Sequence, residues 1–209
     1  MLQLRNLTIA YAGQPSLIER LEVTVPAGEL HLLQGPSGCG KSTLLAVIGG
    51  TMDDTVQWSG RISLNGVDIS SLPAEQRGVG LMFQDALLFP HMSVGDNLAF
   101  GLAARHRRDR VARVQAALQA ADLPGFADRD PASLSGGQAA RAALMRTLLA
   151  EPQVLLMDEA FSALDPALRQ GFGMFVRDRI RDRQIPALLV SHDPADANLA
   201  DGAPISLTA

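Results

Sequence analysis

The run Gly35-Pro36-Ser37-Gly38-Cys39-Gly40-Lys41-Ser42-Thr43 limits what this chain can fold into more than any other. It has the form G-x-x-x-x-G-K-S, a loop suited to wrapping phosphate. Glycines there give φ values that a Cβ would forbid, and their bare amides turn inward as anion donors. Lys41 adds a point charge for the β- and γ-phosphates, and Ser42 offers a hydroxyl of the kind Mg²⁺ accepts. Leu30 to Gln34 reads as a short buried strand entering the loop. Ser42 to Gly49 reads as a helix whose positive end faces the phosphates. A glycine-rich turn without a ligand is the competing reading, and strand, loop, Lys-Ser and helix in register weigh against it.

The rest of the composition sets limits. The chain has 209 residues, enough for one domain with a small insert. Hydrophobic residues make up 47%, which supports a core. The net charge of −4 gives no global field that would draw the protein to nucleic acid. The single cysteine, Cys39, excludes an internal disulfide and fits a reducing compartment. A strand-like run begins at once with Leu2-Gln3-Leu4, so no signal peptide is expected. No apolar run approaches the roughly 18 residues of a membrane span. A role at a membrane would therefore pass through a partner.

Met1 to Ile9 and Leu21 to Val25 read as strands around the turn-rich stretch Ala12 to Ser16. Arg61 to Leu64, Asn65-Gly66 and Val67 to Ile69 read as a hairpin. These pieces predict a small antiparallel sheet beside the core. Tyr11, in the first loop, fits either a ring stacked on adenine or a packed loop aromatic. Val79 to Phe83 is a buried strand that ends in Gln84. Leu87 to Gly101 is apolar and loop-rich. The basic run Arg105 to Arg110 precedes Val111, Val114, Leu118 and Ala121 at helical spacing. That run fits the solvated start of an amphipathic helix better than a nucleic-acid patch, because few aromatics lie near it.

Leu134-Ser135-Gly136-Gly137-Gln138 opens an alanine-rich helix that Glu151-Pro152 stops. Free amides after a serine and two glycines can bind an anion, yet the same residues can serve as a plain helix cap. As an anion site it would be half a site, since no lysine or metal-binding hydroxyl accompanies it. Val154 to Met157 is a buried strand ending in Asp158-Glu159. One carboxylate can hold Mg²⁺ through its water shell while the other polarises an attacking water; two solvated acids at a strand end are the alternative. Ser162-Ala163-Leu164-Asp165 turns into a helix with Pro166 in its first turn. Ala187 to Val190 is a strand ending in Ser191-His192. Four apolar runs thus end in Gly35, Gln84, Asp158-Glu159 and His192. Ligands of open parallel α/β sheets bind beyond the carboxyl ends of the strands. If the four runs lie side by side, these groups converge on one triphosphate. The mostly helical segment 85–153 departs between them.

Taken in this order, the motifs resemble the ATP-binding subunits of ABC transporters over essentially the whole chain. The resemblance implies an α/β fold of the P-loop NTPase type. It would have a RecA-like parallel core, a small antiparallel subdomain (both within 1–84 and 154–209) and an inserted helical subdomain (85–153). It also implies a composite site in which two subunits meet head to tail, with ATP and Mg²⁺ between the loop of one and Ser135, Gly136, Gly137 and Gln138 of the other. Tyr11 becomes the expected adenine stacker. Lys41 would stabilise phosphate charge. Ser42 and Gln84 would contact Mg²⁺, with Asp158 behind a coordinated water. Glu159 looks like the general base, His192 like the γ-phosphate contact, and Asp165 like the residue that crosses the interface. The stretch Gln84 to Val94 would face an integral membrane permease.

The finer resemblance, carried by Phe83 to Val94 and Asn97 to Gly101, is to ATPases of bacterial binding-protein-dependent importers. Within them it most resembles the thiamine type and a related branch. That implies a second copy as partner, a periplasmic binding protein acting indirectly, no nucleic acid, and a place on the cytoplasmic face of the inner membrane. Export or lipid extraction by the same motor is the alternative. Only seventeen residues follow His192, so no C-terminal regulatory domain is expected. Two positions depart from the family pattern. Ala160 stands where Pro is usual, which relaxes φ and restores an N–H; activity is expected to survive. Ala139 replaces Arg or Gln, and Arg141 should keep one polar link for that helix. Cys39, near a helix N-terminus, is expected to react with alkylating reagents, with ATP protecting it.

Overall fold

Alternating apolar residues at the N-terminus and continuous apolar runs later in the chain dictate two different sheets. The computed structural model describes residues 1–207. Strands β1 (Leu2–Tyr11), β2 (Ser16–Val25), β4 (Val56–Leu64) and β5 (Val67–Asp68) form an antiparallel sheet in the order β2-β1-β4-β5. Strands β3 (Leu30–Gln34), β6 (Val79–Met82), β7 (Val154–Asp158), β8 (Ala187–Val190) and β9 (Ile205–Ser206) form a parallel sheet in the order β6-β7-β8-β3-β9. The helices are α1 (Lys41–Gly49), α2 (Val94–Phe100), α3 (Arg110–Ala120), α4 (Gly136–Leu149) and α5 (Pro166–Arg183).

The apolar spacing of β1 explains its shape. Leu2, Leu4, Leu7 and Ile9 are buried, so one residue too many lies between Leu4 and Leu7 for strict alternation. The strand absorbs it as a bulge at Asn6, φ +50°, with register shifts against both neighbours. Gly60 on β4 faces that bulge. A Cβ there would come within 2.6 Å of the Asn6 carbonyl oxygen, so only glycine fits. The first two strands run further than expected, β1 to Tyr11 and β2 from Ser16. The Asn65-Gly66 turn, both residues at positive φ, closes the β4–β5 hairpin as its sequence predicts.

The parallel sheet is apolar on both faces. Along β7, Leu155 and Met157 join a cluster with α2 to α5, while Val154 and Leu156 join one with α1 and the antiparallel sheet. The helices of segment 85–153 therefore share one apolar cluster with the sheet, and α4 packs on both β6 and α5. Two local readings change. The stretch read as loop-rich contains α2, begun by Ser93, whose hydroxyl oxygen accepts the Asp96 amide at 3.1 Å. In α3 the buried residues are Val114, Ala117 and Leu118, whereas Val111 is 75% exposed because the packed stretch starts one turn later.

Among the described residues Arg77 is the deepest cation, 4% exposed, and no carboxylate there pairs with it. Its guanidinium donates to the carbonyl oxygens of Val47 (2.7 Å), Ile48 (3.1 Å), Leu72 (2.7 Å) and Ser70 (3.1 Å). It thereby closes the C-terminal end of α1, where a positive charge also suits the helix dipole. Burial lowers its pKa from the ordinary guanidinium value. Arg77→Met should remove the donors and leave these acceptors unpaired, at a cost on the order of 3 kcal/mol. Urea unfolding of the nucleotide-free protein checks this, and a midpoint equal to wild type would refute it.

Candidate nucleotide site

The parallel order β6-β7-β8-β3 brings the four expected strand ends to one edge of the sheet. Met82 pairs with Met157, Asp158 with Val190, and Leu33 also with Val190, so Gln84, Glu159, His192 and the loop after Gln34 emerge side by side. A cleft of about 390 Å³ is lined by Ser42, Phe83, Gln84, Asp85, Leu87, Asp158 and Glu159. A second, of about 370 Å³, is lined by Glu159, Ser162, Arg169, Ser191, His192 and Asp193. Glu159 belongs to both.

The loop Gly35 to Gly40 ends at α1, whose N-terminus carries no side-chain cap and no acidic residue in its first turn. Those free amides and the helix dipole make an anion site. Gly38 sits at φ +81° with open space on its Cβ side, so the loop leaves room above its own backbone. Lys41 is 7% exposed and folds over the loop, donating to the carbonyl oxygens of Gly35 and Pro36 at 2.9 Å each. Ser42 is exposed. Tyr11 reaches the same helix, with 3.2 Å between its hydroxyl and that of Thr43. Pro36 and Ser37 are exposed on the same loop. Cys39 requires a correction. Its thiol is 2% exposed and lies on the inner side of the loop, where a Cβ on Gly35 would come within 2.6 Å of it. Alkylation at an accessible thiol is therefore not expected.

Glu159 is held from three sides. Its φ is +52°, unusual for a residue with a side chain. Its amide donates to Val190 O at 3.0 Å, and its carbonyl oxygen accepts the Ser162 amide (2.9 Å) and hydroxyl (2.7 Å). These bonds, rather than a proline ring at 160, define the backbone after Asp158. The Glu159 carboxylate lies 2.9 Å from His192 Nε2. Ser191 and Asp196 anchor the histidine segment from below. Ser191 Oγ donates to Asp196 Oδ2 at 2.5 Å and accepts the Asp193 amide at 3.0 Å. Burial raises the Asp196 pKa, and the Ser191 hydrogen bond opposes that rise. Asp165 accepts the Leu168 amide at 3.0 Å, the geometry of a cap on α5.

Ser135 is the N-cap of α4 in a full capping box. Its hydroxyl oxygen accepts the Gln138 amide at 3.4 Å, and Gln138 Oε1 accepts the Ser135 amide at 3.0 Å. Its cleft, about 300 Å³ and lined by Ser135, Gly137, Gln138 and Arg141 among others, shares no lining residue with the two clefts at the strand ends. Arg141 donates to Asp122 at 2.8 Å and lies over Phe175, which gives the helix its polar link beside Ala139. The basic run is engaged locally: Arg105 pairs with Glu151, and Arg110 with Asp96 at 2.5 Å.

Three supporting residues had no role in the sequence reading. Arg146 donates to the carbonyl oxygens of Leu87 (2.7 Å) and Ala86 (3.2 Å), and so ties α4 to the segment after Gln84. Asn97, fully buried, bonds both the amide and the carbonyl of Phe89. Arg169 bridges the turn after Glu159 and the segment of His192. A cation in the first turn of a helix opposes the dipole, and that was the available signal for Arg169.

The donor set suits Mg²⁺. Ser42, Gln84 and Asp158 present a hydroxyl, an amide and a carboxylate to one cleft. No cluster of three or more His, Cys, Asp or Glu occurs among the described residues. Magnesium needs few protein ligands when phosphate oxygens supply the rest.

Comparison with known proteins agrees with this chemistry. The family model described as ABC transporter matches residues 18–162. YnjD of Escherichia coli (strain K12), an uncharacterized ABC transporter ATP-binding protein, is 43% identical over 206 residues, covering 96% of this chain and 94% of its own. FbpC 1 of Haemophilus influenzae, an Fe(3+) ions import ATP-binding protein, is 41% identical over 94% of this chain. CysA of Escherichia coli (strain K12), a sulfate/thiosulfate import ATP-binding protein, is 41% identical over 88% of it. This chain spans only 59% and 52% of those two proteins. Among solved structures, the dimeric bacterial ABC transporter cassette MJ0796 superposes with a TM-score of 0.80 at 26% identity, over all of this chain and 94% of that one. Its post-hydrolysis dimer with ADP and Pi gives 0.76 at 26% identity over 96% and 91% of the two chains. On its strand-end site, its matched sequence and its superposed fold, the chain belongs to the ABC transporter family, as an ATP-hydrolysing cassette.

Proposed function

We propose that this cassette works as a pair of identical subunits on the cytoplasmic face of a bacterial inner membrane, where ATP closing the pair drives solute import. The observation that carries the pairing is the separation of Ser135 and Gly137 from the clefts at the strand ends. Within one chain, the α4 amides face no phosphate held by the loop. A second copy turned head to tail would supply them, and the dimeric cassettes it resembles support that arrangement. Import is supported by relatives named for iron and sulfate uptake. The thiamine-type likeness is carried only by sequence motifs, so the solute class rests on the membrane partners.

The roles follow from position. Gly35 to Thr43 would cradle the phosphates, Lys41 would neutralise the β- and γ-oxygens, and Tyr11 would stack on the adenine. Ser42, Gln84 and Asp158 would hold Mg²⁺. When bound, the cation neutralises charge on the phosphate oxygens and orients them for in-line attack. Glu159 would accept the proton of the attacking water, and His192 would contact the γ-phosphate oxygens. Asp165 would cross to the partner. A surface for coupling to a permease is offered by Phe83 (48%), Leu87 (56%) and Phe100 (64%), which are exposed beside Gln84 and Phe89. A periplasmic binding protein would act through that permease.

Mixing two singly damaged proteins tests the pairing. Lys41→Ala and Ser135→Arg should each lack turnover, while their mixture should regain part of it because one of its two composite sites is intact. No recovery in the mixture would argue against a shared site. Direction is checked with the cassette assembled on its membrane subunits in sealed vesicles: ATP should drive accumulation of solute, and extrusion would overturn import.

A further inference from the structure

The Arg169 side chain, 16% exposed, spreads its three nitrogens over three acceptors. Nε donates to Phe161 O at 3.1 Å and Nη2 to Ser162 O at 3.3 Å, both in the turn that follows Glu159. Nη1 pairs with the Asp193 carboxylate, immediately after His192. The fork sits where the ends of β7 and β8 diverge into loops and sheet hydrogen bonds stop. Beyond that point, the Glu159–Val190 backbone bond and the Glu159–His192 contact also tie the two segments.

We propose that Arg169 is a positioning residue that locks the turn carrying Glu159 to the segment carrying His192, and so sets the separation across which the attacking water is held. The inference rests on the reading of Glu159 and His192 as the reacting groups. A continuous chain of bonds supports it. The Ser162 amide and hydroxyl hold the Glu159 carbonyl, and Arg169 holds the Ser162 carbonyl. Arg169 also holds Asp193, whose amide leans on Ser191 and through it on buried Asp196. His192 lies inside that bracket. The Arg169 amide itself donates to the Asp165 carbonyl at 2.8 Å, so the same residue fixes the start of α5. A planar fork with three donors meets these divergent acceptors in a way a single ammonium cannot.

The test uses Arg169→Met, which keeps the apolar stem, and Arg169→Lys, which keeps the charge. Both should lower kcat about tenfold, the effect of a small misplacement of reacting groups. Equilibrium ATP affinity should stay within about twofold of wild type, because the phosphate loop is untouched. The His192 ring resonance in NMR of the nucleotide-free protein should move in both variants. In a His192→Ala background, Arg169→Met should cost less than about twofold more. If Arg169→Met fails to fold, Arg169→Lys decides. Wild-type kcat in the lysine variant, an unmoved His192 resonance, or a full tenfold loss in the His192→Ala background would each overturn the inference. Glu159→Gln serves as the control. If that variant turns over normally, the site reading fails and takes this inference with it. If it is inactive while Arg169→Met is not, only the inference fails.

Discussion

Replacing Glu159 by Gln is expected to leave ATP binding intact and to cut hydrolysis by about a hundredfold or more, the usual contribution of a general base. The substitution preserves volume, and Gln Oε1 can still accept a hydrogen bond from His192 Nε2, now 2.9 Å away. The backbone bonds that hold residue 159 at φ +52° involve only its amide and carbonyl, so the turn should survive. What disappears is a group basic enough to take a proton from water. With hydrolysis blocked and both halves of the composite site intact, ATP should trap the pair. Phosphate release, nucleotide titration and light scattering read these three effects separately. Normal turnover would remove Glu159 from the role of base, and a monomer at saturating ATP would argue against the closed pair.

The groups at the strand ends were legible because they depend on two short-range signals. Each follows a continuous apolar run, and parallel strands share a direction. Gly35, Gln84, Glu159 and His192 could therefore be assigned to one edge before their order was known. Side chains that bond to backbone left no such trace. Arg77 reaches carbonyls at 47, 48, 70 and 72, and any residue types at those positions would offer the same oxygens. Cys39 shows a different limit. Loop composition implied a reactive thiol, but which side of the loop it faces is decided by packing in a cluster that includes Leu207, 168 residues away (207 − 39). β9, a two-residue strand, was missed for lack of length. Ser135 was left open between cap and anion site; the cap is observed, and the anion role belongs to the proposed pairing. The single chain shows the cap, with the Ser135 hydroxyl accepting the Gln138 amide and Gln138 Oε1 accepting the Ser135 amide.

Lys41→Ala is expected to weaken ATP binding about a hundredfold, since charge-assisted hydrogen bonds contribute about 1.5–3 kcal/mol. The structure adds a second consequence. Nζ joins the carbonyl oxygens of Gly35 and Pro36, so the lysine also braces the loop that it serves. Those oxygens carry partial negative charge and would repel phosphate, and the ammonium between them is what turns this face of the loop toward an anion. Removing it should therefore loosen residues 35–40 in the free protein as well as lower affinity. Arginine should not restore either property, because the side chain at 41 is 7% exposed and the site has been packed around an ammonium. Hydrogen exchange of the loop amides and an equilibrium titration with ATP check the two effects. Unchanged affinity in Lys41→Ala would sink the phosphate assignment. A loop equally protected with and without the lysine would show that the brace is incidental and that Lys41 acts on the nucleotide alone.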